Sequence, residues 1–127
     1  MKLRIKDNSV RLRLTRSEVD ALRASGIVAS RIDFPGGRAL QYRLESSPAS
    51  VSPAAFFADS AVTVRLPEAA VLAWATTEQV SLQGEQLLDD GEMLKILVEK
   101  DFACLTQRED EDESDLYPHP DADSFSC

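Results

Sequence analysis

Apolar and basic residues alternate strictly at the start of the chain, and this pattern constrains the fold more than any other. In residues 2–6 and again in residues 10–14, Leu, Ile or Val stands at every second position and Lys or Arg stands between them. A period of two is typical of a β-strand that buries one face and exposes the other. The intervening Asp7-Asn8-Ser9 has turn chemistry, so the two runs are predicted to pair as a hairpin.

A helix with clear start and stop signals follows. Thr15 is the predicted N-cap, and Glu18, three residues later, completes a capping box. Gly26 supplies a left-handed C-terminal stop. A strand over about 27–34, a Pro-Gly-Gly turn and a return strand around Tyr42 complete this part of the pattern.

The same order of elements is predicted a second time. Residues 2–45 form the first unit, the Ser- and Pro-rich residues 46–53 a linker, and residues 54–99 the second unit. A shift of 52 residues aligns several identical Asp, Val, Arg, Leu and Ala residues, and a two-residue change of register aligns the last strands. Chance similarity between two β-α-β segments is the alternative. The pattern predicts an α+β fold in which a duplicated β-β-α-β-β unit forms a curved or barrel-like, mostly antiparallel sheet with two helices on its apolar face.

Charge divides the chain into a domain and a tail. The 127 residues are 43% hydrophobic and 28% charged, an ordinary globular balance, and the net charge of −8 is unevenly spread. Residues 1–45 carry ten Lys or Arg against five acids, whereas the last 22 residues carry Arg108 against eight acids. We expect one domain over residues 1–106 and an acidic, largely unstructured tail over residues 107–127.

Several classes of protein and site are disfavoured. No apolar run approaches the roughly 20 residues that span a bilayer, and the N-terminus lacks a secretory signal, so we expect a cytoplasmic protein with no membrane partner. Cys104 and Cys127 are then expected to be free thiols. A disulfide between them, or a zinc site with His119, is the less favoured alternative. No cofactor and no metal site are predicted.

Alternation places nine basic residues on the polar side of the predicted sheet, against three acids, Asp33, Glu45 and Glu99. Guanidinium groups hold phosphate or carboxylate through two parallel donors, which favours an anionic small molecule or an acidic protein segment as the ligand. A solvated basic face without a ligand is the alternative. Nucleic acid is disfavoured because the polar side has no stacking aromatic residue. The predicted ligand-binding residues are Lys2, Arg4, Lys6, Arg11, Arg13, Arg31, Arg43, Arg65 and Lys95.

Two further expectations concern the acids. Glu45 and Glu99 end equivalent predicted strands, where they could share a cation or, as we favour, balance nearby arginines. The charge asymmetry also predicts that residues 109–127 fold back across the basic face.

The two ends of the chain resemble a family of small bacterial proteins of unknown function. The stretches concerned are Met1 to Val19, and Leu97 to Leu105 with the Glu-Asp-Glu run that follows. This resemblance spans essentially the whole chain and implies no activity.

The duplicated topology is also similar to the triphosphate-tunnel fold of the CYTH phosphohydrolases, whose first strand carries a metal-binding Glu-x-Glu-x-Lys motif. This chain has Lys2-Leu3-Arg4-Ile5-Lys6 there. The function we favour is a small binding protein for an anionic ligand. The alternative is a CYTH-like hydrolase of nucleotides or polyphosphate that uses a divalent metal, and whether the protein catalyses anything stays open.

Overall fold

The computed structural model describes residues 1–102. The expectations for Cys104, His119, Cys127 and the tail at 107–127 therefore fall outside the described residues. Two helices and eight strands follow the order ββαββββαββ. Their bounds are β1 Lys2–Lys6, β2 Ser9–Leu14, α1 Arg16–Ser25, β3 Ile27–Phe34, β4 Arg38–Ser47, β5 Ala54–Ala58, β6 Ala61–Pro67, α2 Glu68–Thr76, β7 Ser81–Leu87 and β8 Met93–Lys100.

The strands form two four-stranded mixed sheets. Sheet A has the order β1-β2-β8-β7 and sheet B the order β3-β4-β6-β5. Each hairpin is antiparallel, whereas the central pairs β2/β8 and β4/β6 are parallel. The α+β class with two helices is confirmed, but the prediction of one curved or barrel-like sheet was wrong. The reason is that each helix carries the chain from one sheet to the other, so that β2 and β3, like β6 and β7, lie in different sheets.

Helix α1 begins and ends where its local sequence predicts. The Thr15 hydroxyl accepts a hydrogen bond from the Glu18 N–H, and the Glu18 carboxylate accepts one from the Thr15 N–H at 2.9 Å. Gly26 closes the helix with φ of 82°, a conformation that glycine adopts without steric cost. In α2 the N-cap is Pro67, which makes no side-chain cap. Within residues 1–102, neither helix is long and apolar enough to cross a membrane.

Glu18 also binds the start of the chain. Its carboxylate accepts a hydrogen bond from the Met1 ammonium group. Partial burial raises the pKa of Glu18, but the hydrogen bonds from Met1 and Thr15 outweigh this effect and leave that pKa below its ordinary value. The N-terminus is thereby held against α1.

The core lies between the apolar faces of the two sheets. Leu12 and Val98 of sheet A, Leu44 and Val64 of sheet B, and Trp74 of α2 are all within 1% of complete burial and belong to one cluster. No polar or charged residue among residues 1–102 is buried. The charged faces of both sheets therefore point outward, and the sheets enclose an apolar core rather than a charged tunnel.

The two sheets meet along their edges. The side-chain oxygen of Gln86 in β7 accepts a hydrogen bond from the Ala55 N–H in β5 at 2.8 Å. From β4, an inner strand of sheet B, the Tyr42 hydroxyl donates to the Met1 carbonyl, just before the edge strand β1, at 3.2 Å. These bonds satisfy backbone groups at the edges of the sheets, where unpaired groups would otherwise invite association.

Equivalent hairpins in the two halves of the chain pair their strands at matching positions. In the hairpins that begin each half, Lys2 lies opposite Arg13 and Ala54 lies opposite Arg65, a shift of 52. In the hairpins that end each half, residues 27 and 45 are partners, as are residues 81 and 99, a shift of 54. The predicted linker is shorter than expected, because residues 46 and 47 still pair with β6.

Candidate anion-binding surface

The structure divides the nine predicted ligand-binding residues between two surfaces. Because the residues alternate with core residues along their strands, they project from the side of each sheet opposite the core. The prediction that they share one sheet face was wrong, since β3, β4 and β6 belong to the second sheet. The outer face of sheet A carries Lys2, Arg4, Lys6, Arg11, Arg13 and Lys95, and the outer face of sheet B carries Arg31, Arg43 and Arg65.

Like charges face each other across the strands of sheet A. Lys2 is the partner of Arg13, and Arg4 is the partner of Arg11. Cross-strand partners have Cβ atoms about 4.5–5.5 Å apart, and like charges at this distance are destabilising. Only two acids of the four strands, Glu85 and Glu99, lie on the same face. The outer face of sheet A therefore concentrates positive charge.

Glu99 neutralises part of this charge. It accepts hydrogen bonds from Arg13 Nε at 2.9 Å and lies 2.8 Å from Arg13 Nη2, and Arg11 Nε lies 3.8 Å from the same oxygen. The side chains of Arg13 and Glu99 are 11% and 14% exposed. One carboxylate thus lies beside two guanidinium groups, and it is nearer to Arg13 than to Arg11.

A shallow depression of about 360 Å³ lies on the same face. Its outward-facing lining includes Ser9 and Arg11 of β2, Lys95 of β8, and Gln83 and Glu85 of β7, and Glu85 is the cross-strand partner of Lys95. Lys6 is the cross-strand partner of Ser9 on one side and Lys95 is its partner on the other, so two lysines flank Ser9 on this face. Among the described residues, no carboxylate forms an ion pair with Lys6 or Lys95. This arrangement combines charged and neutral donors in a concavity that could hold one anionic group.

The sequence analysis missed Gln83 and Glu85. They belong to β7, whose sequence Ser-Leu-Gln-Gly-Glu-Gln-Leu alternates poorly because Gly84 and Gln86 occupy the inward positions. The alternation of Gln83 and Glu85 with Leu82 is a weak signal for their outward direction.

Two of the three cations on the outer face of sheet B already pair with neighbouring side chains. Arg65 donates to Glu45 at 3.1 Å and stacks over the ring of Phe56, 4.7 Å from its centroid. Arg31 donates to Asp33 at 3.0 Å. The Nε of Arg43 is buried and makes no hydrogen bond. These three cations form no shared concavity among the described cavities.

The acids at the strand ends do not come together. Glu45 pairs with Arg65 in sheet B, and Glu99 pairs with Arg13 in sheet A. The expectation that they balance nearby arginines is confirmed, since each carboxylate accepts a hydrogen bond from an arginine of its own sheet. Within residues 1–102, no group of three or more His, Cys, Asp and Glu residues could hold a metal ion.

A larger depression of about 680 Å³ lies at the end of the fold that holds the helices. Its walls include the apolar Leu14, Val19 and Val80, and its lining contains two basic and three acidic side chains. Phe102 lines it and is 57% exposed, so the described chain ends at this depression. The mixed charge gives it no preference for an anion.

Comparison with known proteins identifies a family but no function. No curated protein and no solved structure matches the chain. The similarity to the CYTH phosphohydrolases is not confirmed, and the apolar core leaves no place for their charged tunnel. The family model described as "Family of unknown function (DUF7009)" matches residues 1–121, so the chain belongs to the DUF7009 family, as its resemblance to an uncharacterised family predicted.

Proposed function

We propose that this protein is a small binding protein that holds a phosphorylated or acidic ligand on the outer face of sheet A. The observation that carries the proposal is the set of six cations on one four-stranded face, against Glu85 and Glu99 on its strands and Asp101 at its edge. Four of the six are cross-strand partners of like charge. Glu99 and Asp101 balance part of this charge, and a bound anion would balance more of it.

Arg11, Lys95 and Ser9 are the proposed contacts for one anionic group. Arg11 would donate through its guanidinium group, and Lys95, on the neighbouring strand β8, would supply a point charge. Hydrogen bonds to charged groups contribute about 1.5–3 kcal/mol each. Lys6 would then bind a second anionic group of an extended ligand, such as a polyphosphate chain or an acidic peptide.

Titration with tripolyphosphate tests this proposal. The double variant Arg11→Gln with Lys95→Gln should bind tripolyphosphate about tenfold more weakly or worse in isothermal titration, because it loses two charge-assisted contacts. Binding to the unaltered protein should raise its melting temperature, and the gain should fall as ionic strength rises.

The matched control removes the same charge from sheet B. The variant Arg31→Gln with Arg38→Gln lowers the net charge equally but leaves the outer face of sheet A intact. It should bind tripolyphosphate almost as well as the unaltered protein. An equal loss in both double variants would show that only overall charge matters and would refute the site. Release of phosphate in the presence of Mg²⁺ would instead favour the hydrolase alternative.

We also infer that residues 2–45 and 54–99 are two copies of one unit within a domain of residues 1–106. The constant shifts of 52 and 54 in strand register support this. So does the pair Arg13–Glu99, whose counterpart under the same shifts is Arg65–Glu45. The cytoplasmic location stays a prediction.

A further inference from the structure

The described chain ends beside the outer face of sheet A. After β8, the Asp101 N–H donates to the Leu14 carbonyl at the end of β2, at 2.8 Å. The Asp101 carboxylate also lies 3.3 Å from the Lys2 ammonium. Residues 103–127 therefore start between this edge of the face, where Lys2 lies, and the depression that Phe102 lines.

The remaining sequence has the opposite charge. Residues 1–102 carry 13 Lys or Arg and 14 Asp or Glu, which is near balance, whereas residues 109–127 carry eight Asp or Glu and no Lys or Arg. The acidic segment (residues 109–127) is thus the largest concentration of negative charge in the chain. The outer face of sheet A is the largest concentration of positive charge among the described surfaces.

The acidic segment can reach the whole face. Seven residues lead from Phe102 to Glu109, and an extended chain of that length spans about 24 Å. The basic face extends along the five residues of β1, which is about 14 Å. The connection is therefore long enough to place the first carboxylates at any row of the face and short enough to keep them near it.

From these three observations, we propose that the acidic segment occupies the outer face of sheet A of the same molecule and competes there with an external anionic ligand. The competition rests on the proposed function, whereas the intramolecular contact does not. A short tether gives an effective concentration in the millimolar range. Even a weak contact between segment and face would therefore be well populated, and each external ligand would have to displace it.

Paramagnetic relaxation in full-length protein tests the contact directly. A nitroxide attached to Cys127, with Cys104→Ser to make the label unique, should broaden amide signals of β1, β2 and β8 at low ionic strength. Signals of β3 and β4 on sheet B should be much less affected. The broadening should disappear at high ionic strength, because exposed charges are screened over about 10 Å at 0.1 M salt.

The matched control is a full-length variant in which the six acids of residues 109–115 become their amides. Length and label position are unchanged, so loss of the broadening in this variant assigns the contact to charge. Equal broadening of sheet A and sheet B signals in the protein with the unaltered tail would overturn the proposal. Undiminished broadening in the amide variant would overturn it as well.

Tripolyphosphate binding by the same two proteins tests the competition. At low ionic strength the amide variant should bind about tenfold more tightly, the factor expected when a tethered competitor at millimolar effective concentration has a dissociation constant near 0.1 mM. Selective broadening without any tripolyphosphate binding would support the contact and refute the proposed function. Tripolyphosphate binding of equal strength in both proteins, without selective broadening, would refute the contact and leave the proposed function standing.

Discussion

Adding a methyl group at Gly84 should push β7 away from Pro53, which precedes β5 of the other sheet. A Cβ at this position would lie 2.7 Å from the Cβ and 2.8 Å from the Cγ of Pro53, just before β5. A rigid proline ring cannot turn aside, so one backbone must retreat by at least roughly 0.7 Å to reach ordinary van der Waals contact. The backbone of Gly84 is not in the left-handed region that favours glycine. We therefore predict that the close contact with Pro53 is what requires glycine at this position.

The size of the effect follows from two opposing contributions. Overpacking by one methyl group costs about 1–3 kcal/mol. The loss of glycine's freedom in the unfolded chain returns about 0.5–1 kcal/mol. Gly84→Ala should therefore lower the free energy of unfolding by about 0.5–2 kcal/mol, and the melting temperature should fall by about 4–8 °C for each kcal/mol in a domain of this size.

Urea unfolding of a double-mutant cycle checks the origin of the effect. Pro53→Gly removes the ring atoms that the new methyl group would meet, so the cost of Gly84→Ala should largely vanish in that background, with a coupling of about 1 kcal/mol. The control Gln83→Ala alters the neighbouring outward side chain and should stay within about 0.5 kcal/mol. If Gly84→Ala is at least as stable as the unaltered protein, or if the two substitutions are additive, the contact does not determine the residue.

Two further substitutions test the contacts of Glu18 with the N-terminus and of Trp74 in the core. Because the folded pKa of Glu18 is lowered, its contribution to stability should be present above its unfolded pKa of about 4.3 and lost as pH falls through the folded value. Denaturation across this pH range should show that Glu18→Gln loses less unfolding free energy than the unaltered protein as pH falls. An identical loss in both proteins would contradict the role assigned to Glu18. Trp74→Phe removes the indole hydrogen bond to the Val80 carbonyl, 2.9 Å long, together with part of a fully buried ring. It should cost about 1–3 kcal/mol in urea unfolding, and a neutral result would exclude Trp74 as a core anchor.

Signals between near neighbours in the chain predicted the elements well. The capping box of Thr15 and the stop at Gly26 determine where α1 begins and ends, and the structure confirms both. The third strand spans the predicted residues 27–34. Such signals succeed because a cap or a turn satisfies its own backbone groups within a few residues. The outward direction of Arg11 and Arg13 could be predicted for the same reason, since a strand alternates whatever it pairs with.

The division of the candidate site could not be predicted in this way. Alternation shows that Arg43 and Arg13 both face away from apolar neighbours, but it contains no information on whether their strands share a sheet. That depends on pairing across large separations, such as β2 with β8, which places Arg13 beside Glu99. Similarly, the weak alternation of β7 concealed Glu85, whose place is set by its partner Lys95.

The amino-acid sequence by itself determined the α+β class, the helix caps, the hairpins and the charge of each strand face, because these depend on contacts within one or two neighbouring elements. Only the tertiary structure decided that there are two sheets, that their apolar faces enclose one core, and that six of nine cations share a surface. The physical reason is that each helix crosses between the sheets, and burying both helices with both apolar faces in one core requires strands from distant parts of the chain to pair. The position of the candidate site is a consequence of that global packing.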